Sequence, residues 1–242
     1  MIKQLKPSAR ISEVADTGER LFILFGKETA LAEDRILKPL FVAIKSDTDL
    51  LTDIIKSDRQ ASDLDKADAL RDEVIRNLAT ILKGYTAMPI EPLQQAGQRL
   101  YAIFEKYGMG IIRENYAVQS AHTESMLKDF AEPSVVADIA QLTGVAEVIA
   151  QLTKAQNDFN DRRVSYEQAT ATQSNKTKSS ELKKRLLGSI NTALLPYLIS
   201  MKNLNQSEYI SFANAVGQVI ADTNAAIAAR SKKEAKEKSS GF

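Results

Sequence analysis

The strongest candidates for chemistry in this sequence are three charged residues in the stretch KADALRDEV. Asp68 and Asp72 are four residues apart, so on a helix their carboxylates lie on one face, with Arg71 beside them. Such a patch could bind a polar ligand. The simpler interpretation is a helix N-terminus stabilised by acidic side chains and ion pairing. A metal site is disfavoured, because an arginine between the two carboxylates repels a cation.

A second candidate lies in the stretch KAQNDFNDRR, which places Asn157, Asn160 and Asp161 within a long helical pattern. Asparagine is a weak helix former, so its presence there needs a reason. One reason is a buried Asn157 that fixes the register of packed helices. The alternative is that Asn157 contacts a ligand between helices. Both remain open from the sequence.

Signatures of known catalytic sites are missing from the sequence. His122 is the only histidine, and Gln119 stands where a di-iron bundle would have glutamate three residues earlier. There is no cysteine, which excludes disulfides, Cys–Zn sites and iron–sulfur clusters. Neither a nucleophile elbow nor a glycine-rich phosphate loop occurs. We therefore expect no enzyme activity, no metal and no cofactor, and we expect His122 at the surface or at its boundary.

The composition indicates the elements that must position these residues. The chain has 242 residues, 44% of them hydrophobic, with only 10 Gly and 6 Pro. Helix formers dominate, so an all-α fold is predicted. A net charge of +1 argues against a nucleic-acid partner. No signal peptide is recognisable, and the apolar runs fall short of the roughly 18 residues of a membrane span, so a cytoplasmic location is expected.

Apolar periodicity predicts helices over about 9–26 and 28–57, with Pro39 either kinking the second or marking its real start. The polar stretch 57–68 is predicted to be a loop or a helix cap, followed by a helix that carries Leu70 on its apolar face. Pro92 suits the first turn of the next helix, and Gly108 is expected to end that helix.

The same order of elements then recurs, with helices predicted over about 112–130 and from Pro133 onward, and a kink at Pro196. Residues 88–104 and 204–220 are therefore interpreted as equivalent corners of a duplicated fold. The predicted organisation is about eight helices in two pseudo-repeated four-helix units. The repeats are expected at 1–108 and 109–229, either abutting or merged into one bundle, with a charged, disordered tail at 230–242.

Three stretches, LDKADALRDEVIRNL, QAGQRLYAIFEKYG and LTKAQNDFNDRR, resemble a family of uncharacterised all-helical Bacteroidota proteins classed as a domain of unknown function. The family pattern is an Asp-x-x-Arg-Asp motif, an Ala-rich helix ending in Tyr-Gly, and a later Asn-x-Phe motif. The residues of this chain that match the pattern are Asp68, Arg71, Asp72, Ala96, Tyr107, Gly108, Asn157 and Phe159. Some members carry a haemagglutinin label by automatic transfer, and the family has no established activity. The resemblance therefore implies a helical fold but no particular function.

Three hypotheses for function follow. The first is a non-enzymatic scaffold or interaction protein that binds itself or another protein through a helix face. The second is a small-ligand-binding protein or enzyme with a pocket between the repeats, which requires Asp68, Arg71 and Asn157 to converge in one concavity. The third is a surface adhesin, which requires an export route.

Overall fold

The computed structural model describes residues 2–172, 178–204 and 207–239, and within these ranges the chain forms helices and no strands. The all-α prediction is therefore confirmed. The α-helices are α1 (Ile11–Gly26), α2 (Leu37–Thr86), α3 (Glu91–Glu105), α4 (Tyr116–Phe130), α5 (Pro133–Gln141), α6 (Val145–Thr172), α7 (Ser179–Gly188), α8 (Leu195–Asn203) and α9 (Ser207–Ser239). Short 3₁₀ segments occupy Thr29–Leu31 and Met109–Arg113, and a π-helical segment, Ser189–Leu194, joins α7 to α8.

The chain divides into two compact units. The first unit consists of Met1–Asp58 and Thr172–Phe242, and the second of Arg59–Ala171. Helix α2 therefore starts in the first unit and ends in the second. The repeat boundary predicted at residue 108 falls inside the second unit, just after α3, so the predicted repeats do not coincide with the compact units. The duplication stays a prediction, and residues 205 and 206 of its second corner lie outside the described residues.

The polar stretch 57–68 is helical, so the prediction of a loop or a helix cap there was wrong. It forms the middle of α2, a single helix of 50 residues. The stretch contains neither Gly nor Pro. Leu64 and Ala67 are buried against Phe159, and Asp63 lies 3.2 Å from Lys66 Nζ. Tertiary burial of these two apolar side chains therefore outweighs the weak helix propensity of the Asp and Ser residues around them.

The first unit packs its helices around aromatic and branched side chains. Phe41 of α2 stacks on Phe25 of α1, with ring centroids 4.2 Å apart, and Phe212 of α9 lies 6.0 Å from both rings. Pro39 lies in the first turn of α2, where its missing N–H leaves no helical bond unmade. Of the two predicted outcomes, a kink or a helix start, it therefore marks the helix start.

The second unit has its own apolar core. Its fully buried members include Ile75, Leu78, Leu100, Met126 and Leu152. Glycines at positive φ end two of its segments, Gly108 at 66° after α3 and Gly144 at 86° before α6. Other residues rarely adopt that conformation, which explains the predicted stop at Gly108.

The charged tail differs from its prediction. Instead of becoming disordered after residue 229, the chain continues as α9 to Ser239, and residues 240–242 lie outside the described part. Arg230 Nε lies 3.0 Å from Glu13 Oε1 of α1, and Arg10 Nη2 lies 2.5 Å from Glu234 Oε1. These pairs between the tail and the start of α1 give the last turns of the helix a partner that the sequence pattern did not reveal.

Within the described ranges, no single helix is both long and apolar enough to cross a membrane. Pro133–Gln141 and Val145–Ala171 reach that length and composition only when taken together, across a bend of 120°.

Candidate functional site

Arg71 of α2 belongs to the second unit and is fully buried. Its Nη2 donates to Asp68 Oδ1 at 2.7 Å and to Gln119 Oε1 at 2.8 Å. Its Nη1 donates to Ser120 Oγ and Gln156 Oε1, each at 3.0 Å. Both terminal nitrogens therefore have acceptors for all of their N–H groups. Because Gln119 and Ser120 belong to α4 and Gln156 to α6, one guanidinium connects three helices.

The aromatic ring of Phe159 covers one face of this guanidinium. The central carbon of Arg71 lies 3.6 Å from the centroid of that ring, which is a close cation–π contact. Tyr116 packs edge-on against Phe159, with centroids 5.1 Å apart, and its hydroxyl faces Asp65 at 3.4 Å. The ring face of Phe159 and the four acceptors therefore replace much of the water that Arg71 loses on burial, although its Nε–H is buried without an acceptor.

A second layer of contacts orients the glutamine side chains toward Arg71. Gln119 Nε2 donates to Asp72 Oδ1 at 2.7 Å, which turns its amide oxygen toward the guanidinium. Gln156 Nε2 donates to Glu124 Oε1 and to Asn160 Oδ1, each at 3.2 Å. The NH₂ groups are thus held by acceptors away from Arg71, so both amide oxygens are available to accept from it.

The electrostatics of this centre favour a structural role. Burial lowers the pKa of Arg71, and the adjacent Asp68 carboxylate acts in the opposite direction. An arginine remains charged across the physiological range even after such a shift, so Arg71 has no proton to exchange. Burial, together with the nearby Asp68 and Asp65 charges, raises the pKa of Tyr116 and keeps that phenol neutral. The guanidinium of Arg71 joins three helices and, because it is fully buried, is not accessible to a substrate.

The structure brings together three of the four predicted site residues. Asp68 contacts Arg71 directly, and Asp72 reaches it through Gln119. Asn157 is exposed and lies outside this network, so neither a buried register-fixing role nor convergence with Arg71 applies to it.

Sequence reasoning missed three partners of Arg71, namely Gln119, Ser120 and Gln156. A signal for Gln156 was present, because it follows Leu152 by four residues and precedes Phe159 by three, a spacing that places it on the buried helix face. A polar residue at such a position needs a buried partner.

His122 lies half-buried on α4, with its ring centroid 6.1 Å from that of Tyr107. In the part of the chain that the structure describes, no group of three or more His, Asp or Glu side chains is arranged to hold a metal ion.

A groove runs along the surface between α2 and α6 of the second unit. One stretch of it, of about 380 Å³, is lined by Leu70, Val74, Gln151, Lys154, Ala155 and Asp158. A second stretch, of about 220 Å³, shares Leu70 and Asp158 with the first and extends to Asp63 and Arg162. Leu70 is 50% exposed, although its spacing predicted a core position. Beside it, Arg71 bonds to Gln156 of α6, so the buried centre fixes the spacing of the two helices that frame the groove.

A family model matches residues 61–224, which include the whole Arg71 centre and both walls of the groove. No curated protein and no solved structure shows significant similarity to the chain. The matched segment covers more than half of the chain and contains the three stretches on which the resemblance was based. The chain therefore belongs to the family described as "Family of unknown function (DUF6261)".

Proposed function

We propose that the protein is a non-enzymatic helical scaffold that binds an amphipathic helix of a partner protein in the groove between α2 and α6, which we call the Leu70 groove. The observation that carries this proposal is the half-exposed Leu70 at the centre of that groove. A leucine in contact with water loses the favourable free energy of burial, which a docked apolar side chain would restore.

The shape of the Leu70 groove suits a helix. Its wall on α2 runs from Asp63 to Val74, which is about three helical turns. Small residues form its floor, Ala67 on α2 and Ala155 on α6, both nearly fully buried. Small side chains let another backbone approach closely, so a helix with leucines spaced three and four residues apart could seat one of them beside Leu70.

The charges on the rim indicate the polarity of the partner. Asp63 pairs with Lys66 at 3.2 Å, and Asp158 pairs with Arg162 at 2.9 Å. Lys154, by contrast, forms no ion pair with any described residue, and it lines the apolar part of the groove. An acidic residue on the partner helix would complement this lysine, and charge complementarity of this kind determines the orientation of docking.

The test uses three synthetic helical peptides with the same leucine spacing, carrying acidic, basic or neutral polar residues on the opposite face. Fluorescence anisotropy measures their binding to the wild type and to Leu70→Asp. We expect the acidic peptide to bind the wild type most tightly and Leu70→Asp to weaken that binding at least about tenfold, because a carboxylate in an apolar contact must be desolvated.

The matched control is Val164→Asp, which introduces the same charge at a similarly exposed apolar position of α6 that does not line the groove. Equal binding of the acidic peptide to all three proteins, or binding to none of them, would refute the proposal. Light scattering coupled to size exclusion is run in parallel. If the wild type is a dimer and Leu70→Asp is a monomer, the occupant of the groove is a second copy of the chain and not a different partner protein.

A further inference from the structure

The first unit holds an open cavity between α7, the π-helical segment and the chain that precedes α1. Its volume is about 510 Å³, within the range of small-molecule sites. Residues of these three segments line it, among them Pro7, Lys183, Lys184, Gly188, Asn191 and Thr192. We call it the α7 cavity.

One wall of the α7 cavity is held rigidly by two asparagines. Asn191 Oδ1 accepts from Leu5 N–H and its Nδ2 donates to Leu5 O, both at 2.9 Å. Asn224 makes the equivalent pair of bonds, accepting from Lys6 N–H at 3.0 Å and donating to Gln4 O at 2.9 Å. With Leu5 fully buried as well, this extended segment is fixed in place, and the cavity is largely pre-formed.

The π-helical segment shapes the opposite wall. Pro196 has no N–H, so the α-helical bond to the carbonyl of Thr192 cannot form. The widened turn over Ser189–Leu194 accommodates this loss and places both Asn191 and Thr192 on the cavity. Short π-helical turns weaken a helix and are found frequently at functional sites.

The charge of the α7 cavity is uniformly positive. Lys183 and Lys184 line it, and none of the described residues that line it is acidic. Lys183 Nζ donates to the Pro7 carbonyl at 3.1 Å, which leaves its other two N–H groups for a ligand. Lys184 has no ion pair within the described ranges. Pro7 and Leu187 add apolar surface beside the two ammonium groups.

We propose that the α7 cavity binds a small organic anion, with a carboxylate or phosphate group at Lys183 and Lys184 and a short apolar chain against Pro7 and Leu187. Two ammonium groups that form no ion pair with any described residue attract such an anion, and the pre-formed walls reduce the entropy lost on binding. This site lies in the first unit and is independent of the Leu70 groove.

The test is a titration of the ¹⁵N-labelled full chain with three probes of equal chain length: hexanoate, hexyl phosphate and the neutral hexanol. We expect at least one of the two anions to shift the amide signals of Gly188, Asn191 and Thr192 to saturation, and hexanol to bind at least about tenfold more weakly. The anion that binds more tightly identifies whether the natural ligand carries a carboxylate or a phosphate. Hexanol binding as tightly as either anion, or no saturable shift with either anion, would overturn the proposal.

Two pairs of variants localise the binding. Lys184→Gln is expected to weaken it at least about threefold, whereas Lys27→Gln, an equal change of charge at an exposed position of the same unit outside the cavity, should leave it unchanged.

Gly188→Leu is expected to abolish binding without unfolding, because a Cβ at Gly188 meets no atom within 4 Å and the longer side chain extends into the cavity. Gly84→Leu is the control, since Gly84 is helical with equally open surroundings in the second unit. Undiminished binding by both Lys184→Gln and Gly188→Leu would refute the assignment of the site.

Discussion

Each unit contains a charged side chain that is withdrawn from solvent, and the two units stabilise that charge with different hydrogen-bond partners. In the second unit the fully buried Arg71 is surrounded by neutral amide and hydroxyl oxygens and a single carboxylate. In the first unit the half-buried Asp34 is surrounded by donors. Its Oδ1 accepts from the N–H groups of Ile36 and Leu37, at 2.8 and 2.7 Å, and its Oδ2 accepts from the hydroxyls of Tyr197, at 2.8 Å, and Tyr209.

The difference lies in what each centre can do when the pH changes. Burial on its own would raise the pKa of Asp34, but the bonds from Tyr209, Leu37 N–H and Tyr197 together lower it. Asp34 in turn raises the pKa of Tyr209, so this phenol remains a donor. Arg71 does not titrate under folding conditions, whereas Asp34 does. The stability of the first unit therefore contains an acid-sensitive contribution from Asp34, whereas Arg71 itself contributes none to the second unit.

The largest expected effect comes from removing the buried cation. Arg71→Met should destabilise the second unit by about 3 to 5 kcal/mol, because it leaves Asp68 and three neutral acceptors without their donor. Hydrogen exchange measured by mass spectrometry should show faster exchange in α4 and α6. Arg76→Met, at an arginine whose side chain is 50% exposed and pairs with Asp72 at 3.4 Å, is the control and should cost less than about 1 kcal/mol. Equal effects of the two changes would remove the basis for calling Arg71 the centre of the unit.

A smaller loss of stability is expected at one of two neighbouring residues of α6 and not at the other. Gln156→Ala should cost about 1 to 3 kcal/mol, since it removes a buried acceptor of Arg71. Asn157→Ala should change stability by less than about 0.5 kcal/mol, because Asn157 is exposed and outside the network. Urea unfolding followed by circular dichroism measures both, and a larger loss for Asn157→Ala would contradict the structural assignment.

The smallest effect tests the acid sensitivity of the first unit. Asp34→Asn keeps an acceptor at the start of α2 but removes the charge, and should cost roughly 1 kcal/mol at neutral pH. The folded pKa of Asp34 lies below its ordinary value of 3.8. Its contribution is therefore fully present above about pH 4 and is lost as the pH falls through the folded pKa. The difference in the free energy of unfolding between the wild type and Asp34→Asn should therefore decrease in unfolding curves recorded from pH 7 to about pH 2.

Asp16→Asn is the matched control for that series, since Asp16 of α1 is 64% exposed and pairs only with Arg20 in the same helix. A difference between wild type and Asp34→Asn that stays constant down to the lowest pH would show that the charge of Asp34 contributes nothing to the stability of the first unit.

Several local features of the fold followed from the sequence. Gly108 was predicted correctly to end a helix, and Pro39 lies at a helix start, one of the two outcomes predicted for it, because the backbone preferences of glycine and proline are local. The helical state of the polar stretch 57–68 was not predicted, because it depends on the packing of Leu64 and Ala67 against Phe159, which is almost one hundred residues away in the chain. The helical tail after residue 229 depends in the same way on the pairing of Arg230 with Glu13.

The candidate site likewise combines features that the sequence determined with features that depend on tertiary contacts. The spacing of Asp68, Arg71 and Asp72 determined by itself that they share one helix face, since 3.6 residues complete each turn. Only the tertiary structure decided that Arg71 is buried, that Gln156 rather than Asn157 is its partner, and that Leu70 faces a groove instead of the core. The physical reason is that helical periodicity defines a face of the helix, whereas burial depends on which distant segment packs against that face.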